Sequence, residues 1–338
     1  MRKQKKRNPT MIDVARLAGV SQTTVSFVIN GNPYIPDETK ERVMVAIHEL
    51  GYRPNTVAQS LRTQRSGIIG FVTDEIAITP YAGRIFEGAQ DVAWNQGKIL
   101  LLVNTKNDPK LQAAALDMLM DRRVEGIIYA TMYHREVAPP EILWQIPTVL
   151  LDCFVNDRSL PSVVPDEVGG AREATSILLR KGHQRVGFIN NIDPIPATAA
   201  RLQGYQDALA AHGIAFDPSL VVCDRSDSEG GYRGAQSLMQ LPKPPTALFC
   251  FNDRVAMGAY DALRKLGLSI PRDVAVIGFD NQDIIAAHLY PPLSTMELPH
   301  YEMGKWATNY LLEHIDPDGM INPTQQTLAC PYIERASA

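Results

Sequence analysis

Residues 12–30 read Ile-Asp-Val-Ala-Arg-Leu-Ala-Gly-Val-Ser-Gln-Thr-Thr-Val-Ser-Phe-Val-Ile-Asn. A first helix is predicted to run to about Ala18. Gly19 then supplies a turn, Val20 plugs the core, and Ser21 caps a second helix. On that second helix Val25, Val28 and Ile29 share one face, while Gln22, Thr23, Ser26 and Phe27 share the other. The apolar face is expected to pack on Val14 and Ala18. The polar face is then free to enter a major groove, with its N-terminal residues nearest the base edges. An ordinary αα-hairpin has a similar period, but the glycine turn, the caps and the neighbouring basic charge together favour helix-turn-helix. Upstream, Thr10 follows Asn8-Pro9 and can cap the first helix; downstream, Asp37 can cap a third, whose Val43, Ile47 and Leu50 share a face and which Gly51 ends.

The charge distribution agrees with this reading. Residues 1–65 carry 11 Lys/Arg against 5 Asp/Glu, a net charge of +6 within a chain whose total is −4, so the remainder carries −10. A basic head on an acidic body implies a polyanionic partner for the head alone, although a solvated charged end would look similar. The start is basic like the first part of an export signal but lacks the apolar run that should follow it, so export is not expected. No apolar run approaches the roughly 18 residues of a membrane span, so no membrane partner is expected. Cys153, Cys223, Cys250 and Cys330 lie far apart with no C-x-x-C pair, which reads as free thiols of a reducing cytoplasm.

From Gly67 onward the period changes. Short apolar runs rich in β-formers appear at 67–73, 99–104, 126–131, 148–152, 185–190, 247–251 and 274–279. Most are separated by amphipathic helical stretches, at 83–96, 110–122, 168–182, 199–212, 230–240 and 254–266. Strands alternating with helices imply right-handed βαβ units and parallel sheets covered on both faces. One sheet would be large for about 270 residues, so two α/β lobes are expected. In such a core a ligand sits at the carboxyl ends of the strands. Several strand ends are polar: Thr73-Asp74, Asp152, Asn252-Asp253 and Asp280-Asn281. Acidic and amide groups set with an arginine suit a polyhydroxylated ligand, whose hydroxyls need both donors and acceptors. Any one of these acids could instead cap the helix that follows, Asp253 above all.

Three longer runs carry a family resemblance: Met11–Ser26, Glu38-Thr-Lys-Glu-Arg-Val43, and Leu50-Gly-Tyr-Arg-Pro-Asn-Thr-Val-Ala-Gln-Ser-Leu-Arg62. Together they resemble the lactose/purine-repressor (LacI-type) family, and the likeness extends over nearly the whole chain. The resemblance implies an all-α helix-turn-helix head at residues 1–54, a hinge helix and linker at 55–65, and a two-lobed core at 66–338 like the periplasmic sugar-binding proteins. It places the lobe crossings near Asp166, Ser294 and Gln325, giving lobe one about 66–165 and 295–324 and lobe two about 166–294 and 325–338. Expected partners are a second copy of the chain, a double-stranded palindromic operator and a small-molecule effector, with no cofactor. The C-terminal run 330–338 leaves no room for a tetramerising heptad, so a homodimer is expected.

On this reading the head contacts DNA through Thr10, Ser21, Gln22, Thr23, Thr24, Ser26, Phe27 and Asn30. Phe27 is a departure, because the family usually has arginine there, a residue suited to guanine. Phenylalanine can meet a thymine methyl, or it can pack against its own domain. In the hinge the resemblance implies that Asn55, Ala58, Leu61 and Arg62 contact DNA as well. Asn55 can cap a helix over 55–62 that is too short to be stable alone. By resemblance Leu61 is the apolar wedge that kinks DNA from the minor groove, although a contact onto lobe one would also use a leucine. The effector set implied is Thr73, Tyr81, Asp152, Arg201, Ser226, Asn252 and Asp280, with Arg201 as the effector arginine. Ser226 stands where many relatives carry an aromatic, which removes a stacking surface for a sugar ring.

Enzyme chemistry finds no support. The chain lacks G-x-x-x-x-G-K-[ST], a G-x-G-x-x-G after a strand, G-x-S-x-G and H-E-x-x-H, and its seven histidines are scattered without metal spacing. Most of them read as surface or structural residues. The expectation is therefore a transcriptional regulator, more often a repressor, answering to a small polar effector such as a sugar or sugar derivative. The alternative is a sugar-binding protein with no regulatory role, which would leave the basic head unexplained.

Overall fold

In a computed structural model the chain is described at residues 9–53, 65–75, 83–314 and 323–338. The expectations for the hinge residues Asn55, Ala58, Leu61 and Arg62, and for Tyr81, fall outside these residues. The chain divides into two compact units, Met1–Ser66 and Gly67–Ala338.

The first unit contains α1 (Met11–Ala18), α2 (Gln22–Ile29) and α3 (Asp37–Leu50). Thr10 and Asp13 form a capping box at the start of α1: Asp13 N–H donates to Thr10 Oγ1, and Thr10 N–H donates to Asp13 Oδ2 at 2.8 Å. Gly19 ends α1 with φ +65°, a left-handed conformation that glycine adopts without a Cβ penalty. Space matters there as well, since a Cβ at Gly19 would meet the guanidinium of Arg42 at 3.0 Å. Arg42 donates to the carbonyls of Ala18 and Gly19, so one of the head's cations is committed to the end of α1. Ser21 caps α2 by accepting from Thr24 N–H at 3.0 Å. The expected cap at Asp37 differs: Pro36 occupies the cap position without a side-chain bond, and Asp37 opens α3, where it pairs with Lys40 at 2.8 Å. With proline's extended backbone leading in, the aspartate falls inside the first turn, where its charge still suits the helix dipole. Val14, Ala18, Val25, Val43 and Ala46 form the buried centre of this unit.

The second unit holds two sheets of six described strands each. The first has the order β11-β5-β4-β3-β1-β2, all parallel: β1 (Ile68–Thr73), β2 (Ile99–Asn104), β3 (Ile127–Glu136), β4 (Thr148–Phe154), β5 (Ser162–Pro165) and β11 (Gln325–Leu328). On one face lie α4 (Gly83–Asn95) and α10 (His300–Glu313), whose Ile85, Ala89, Met303 and Leu311 pack on Phe71, Ile128 and Val149. On the other face lies α5 (Pro109–Asp121), whose Leu116 and Leu119 pack on Val72 and Ile127.

The second sheet has the order β12-β10-β9-β8-β6-β7: β6 (Val186–Asn191), β7 (Val221–Asp224), β8 (Ala247–Cys250), β9 (Ala275–Asp280), β10 (Ser294–Glu297) and β12 (Tyr332–Ile333). Only β12 is antiparallel to its neighbour. The helices α6 (Glu167–Arg180) and α7 (Pro196–Ala211) cover one face, and α8 (Ser228–Met239) and α9 (Asp253–Lys265) cover the other. The α8–α9 pair approaches so closely that a Cβ at Gly258 would lie 1.8 Å from the Ser228 carbonyl oxygen.

Sheet membership corrects two of the expected crossings. Residues 295–297, expected in lobe one, pair with β9 in the second sheet, and Gln325–Leu328, expected in lobe two, pair with β5 in the first. The chain therefore changes sheets between Glu297 and His300 and again between Leu328 and Tyr332. In both cases the strand pairs with its parallel neighbour before the chain crosses.

Candidate functional site

The unit at residues 1–66 presents α2 in the way its period implies. Val25 is fully buried, Val28 and Ile29 pack against the same cluster, and Gln22 and Thr23 are exposed. Ser26 is half-buried, and Asn30 turns its side chain back to the Ser26 carbonyl. Phe27 is 45% exposed, so it is not a core residue. Thr10, Ser21 and Thr24 have cap partners within their own helices, so any contact they make with DNA shares those groups.

In the second unit the carboxyl ends of both sheets border a cavity of about 280 Å³. Asp152 at the end of β4, Arg201 on α7, Ser226 before α8, Asn252 after β8 and Asp280 at the end of β9 all line it. Thr73 does not. It ends β1 beside Asp74 and Arg135 on a separate polar cavity of about 130 Å³. Beyond Ala130, β3 shifts register against β4 and runs on to Glu136, and this extension stands between the two cavities. Its Met132, Tyr133 and His134 line the larger one, while Thr131 and Arg135 line the smaller.

Arg201 is 3% exposed. Its Nε donates to Glu167 Oε2 at 2.6 Å, its Nη1 donates to the Phe251 carbonyl, and its Nη2 lies 3.5 Å from Asp280 Oδ1. The ring of Phe279 lies against the guanidinium at 3.7 Å and that of Phe251 at 4.4 Å. Burial alone would lower its pKa; the facing charges of Glu167 and Asp280 outweigh that and raise it. The arginine is thus held by the protein itself, through a glutamate that the sequence reading missed. Asp280 adopts φ +100° and accepts from Gln282 Nε2 at 2.9 Å. Burial pushes its carboxyl up to about 6, against the lowering effect of Arg201.

The expected cap at Asp253 belongs to Asn252, whose Oδ1 accepts from Val255 N–H at 2.9 Å while its Nδ2 donates to the Ser226 carbonyl. Asp253 is fully buried, accepting from Thr295 Oγ1 and from Gln282 N–H, both at 2.6 Å. His134, read from the sequence as surface or structural, lines the cavity beside Phe154 with its pKa lowered by burial. Among the described residues, no group of three His, Cys, Asp or Glu could hold a metal ion, and no helix is long and apolar enough to cross a membrane.

A helix-turn-helix unit with an exposed recognition helix, followed by a two-lobed α/β unit with a polar cavity at its strand ends, defines a DNA-binding regulator with a ligand-binding core. The comparisons agree with that class. Residues 10–55 match the bacterial regulatory proteins of the lacI family, and residues 66–336 match the periplasmic binding proteins and sugar-binding domain of the LacI family. The chain belongs to the LacI family of bacterial transcriptional regulators. It is 35% identical to the ribose operon repressor of Haemophilus influenzae, over 90% of this chain and 92% of that one. It is 36% identical to the HTH-type transcriptional regulator RegA of Clostridium saccharobutylicum, over 96% and 98%. The crystal structure of the lac repressor dimer, bound to operator and the anti-inducer ONPF, superposes with a TM-score of 0.77 at 25% identity, covering 98% of this chain and 99% of that one.

Proposed function

We propose that this regulator acts in the cytoplasm as a homodimeric repressor on a palindromic operator, and that a sugar or sugar derivative occupying the 280 Å³ cavity controls its affinity for DNA. The observation that carries the reading is the cavity itself, which mixes carboxyl, amide and guanidinium groups at the carboxyl ends of two parallel sheets. The exposed face of α2 supplies base readout, and the dimer supplies two-fold symmetry. The ribose operon repressor among the relatives supports a sugar.

The test is selection of duplexes from a random pool by the full-length chain, followed by a thermal-shift screen of sugars and nucleobases against it. The expected result is a palindromic consensus and a rise in melting temperature with at least one sugar. An asymmetric consensus contradicts the dimer, and stabilisation by nucleobases alone contradicts the sugar.

A further inference from the structure

Asp280 and Asn281 are consecutive non-glycine residues in the left-handed region, with φ of +100° and +53°. Such a conformation is costly for a residue with a side chain and persists only where its surroundings over-determine it. Its place matters, because Asp280 lines the cavity of about 280 Å³, with its Oδ1 3.5 Å from Arg201 Nη2. Gln282 secures the far end of this turn: its N–H donates to Asp253 Oδ2 at 2.6 Å and its Nε2 donates to Asp280 Oδ2 at 2.9 Å. The middle of the turn is secured by a residue 54 positions away. Arg335 Nη2 donates to Asn281 Oδ1 at 2.7 Å, while Asn281 Nδ2 makes only a long contact of 3.4 Å to Glu297 Oε2. Arg335 is itself anchored, since its Nη1 donates to the Leu293 carbonyl at 2.8 Å and its N–H donates to Ser294 Oγ at 2.9 Å.

We propose that Arg335 is a positioning residue of the effector site: through Asn281 it fixes the turn 280–282, and with it the place of the Asp280 carboxyl beside Arg201. The proposal rests on the reading of this cavity as the effector site. Arg335 does not line the cavity and follows β12, so it acts on a ligand only through the turn. A guanidinium suits the task. One planar group reaches Leu293 and Asn281 at once, and so bridges the residue before β10 to the residue after β9. Its charge works in the same direction. Burial and the charge of Asp280 raise the Asp253 carboxyl, and Arg335 opposes that rise. It thereby favours the ionised form of Asp253, which accepts from Gln282 N–H and Thr295 Oγ1. Without Arg335 the Asn281 side chain keeps only its long contact to Glu297, and the strained backbone can relax.

The experiment joins hydrogen–deuterium exchange over residues 281–286 to calorimetric titration with D-ribose, D-glucose and D-galactose, both on the full-length chain. It is run on the parent, Arg335→Met, Arg335→Gln, Arg335→Lys and Ser337→Ala, with melting curves on each to confirm folding. Arg335→Gln keeps a polar group at this half-buried position but lacks the reach, so it carries the test if Arg335→Met does not fold. Ser337→Ala is the control, because it weakens the same C-terminal segment at Ser294 N–H and the Val276 carbonyl without touching the turn. Exchange over 281–286 is expected to quicken about ten-fold in Arg335→Met and Arg335→Gln, and affinity for the sugar that binds the parent to fall about ten-fold. Arg335→Lys is expected to recover part of both, since an ammonium can serve one acceptor but not bridge two. Ser337→Ala is expected to change neither. Parent-like exchange in Arg335→Met and Arg335→Gln overturns the proposal. So does an equal effect of Ser337→Ala, which would reduce Arg335 to general stability, and so does quickened exchange with unchanged sugar affinity. Quickened exchange in a parent that binds none of the three sugars supports the hold on the turn and overturns the sugar reading of the cavity instead.

Discussion

Phe27 is an apolar side chain on α2 that is 45% exposed, so it is not a core residue. It can contact a thymine methyl but cannot donate to guanine. Phe27→Arg is expected to move the preference at one base pair of each half-site towards guanine and to leave the rest of the consensus alone, as read by selection from a random pool. Arg201 is the residue whose role the sequence described least well. It lines the cavity, but its partner Glu167 lies 34 positions away and no local pattern announces the pair. Arg201→Met would leave Glu167 and Asp280 buried without the guanidinium that faces them both. The expected cost in a urea denaturation is about 3–5 kcal/mol, with ligand binding lost as a consequence. Asp280 adds a pH dependence. Its carboxyl rises from 3.8 to about 6 on folding, so its contribution to stability is full below 3.8 and is lost as the pH climbs through about 6. Asp280→Asn is therefore expected to flatten the urea midpoint across that window relative to the parent.

The elements found from the sequence are those with a clear period. The seven strand runs and six core helices read there lie within a few residues of β1–β4, β6, β8, β9 and α4–α9. The strands it missed, β5, β7, β10, β11 and β12, are 2 to 4 residues long, too short for an alternation to register. Their places are fixed by pairing with distant strands, which is also why the last two crossings were misplaced. Helix α10 was missed although Met303, Ala307 and Leu311 recur every fourth residue; Gly304 and Thr308 beside them dilute the stripe. The C-terminal segment shows how much a short element can hold. Ser294 N–H donates to Ser337 Oγ at 2.8 Å, Ser337 Oγ donates to the Val276 carbonyl at 2.6 Å, and Arg335 donates to Asn281 Oδ1 at 2.7 Å, beside Asp280. Ser337 is fully buried, so Ser337→Ala strands a buried N–H and a carbonyl. A loss of about 1–3 kcal/mol is expected in chemical denaturation.

At the scale of the molecule, a basic head and an acidic core were legible from charge alone, and the change from helical to alternating period located the boundary that separates Met1–Ser66 from Gly67–Ala338. The cavity was legible only as a set of strand-end polar residues. Thr73 shares their sequence signature but borders another cavity, because β3 continues past its sheet and stands between the two. What makes the chain a regulator is coupling between the two units, and coupling is reciprocal: a ligand that changes DNA affinity by some factor has its own affinity changed by DNA by the same factor. The direct measurement is a pair of titrations on the full-length chain, operator affinity with and without the sugar that binds the cavity, and sugar affinity with and without saturating operator. The expected result is one common factor of about 5 to 150 in both titrations. Operator affinity that does not change when the cavity is saturated with sugar would contradict the account.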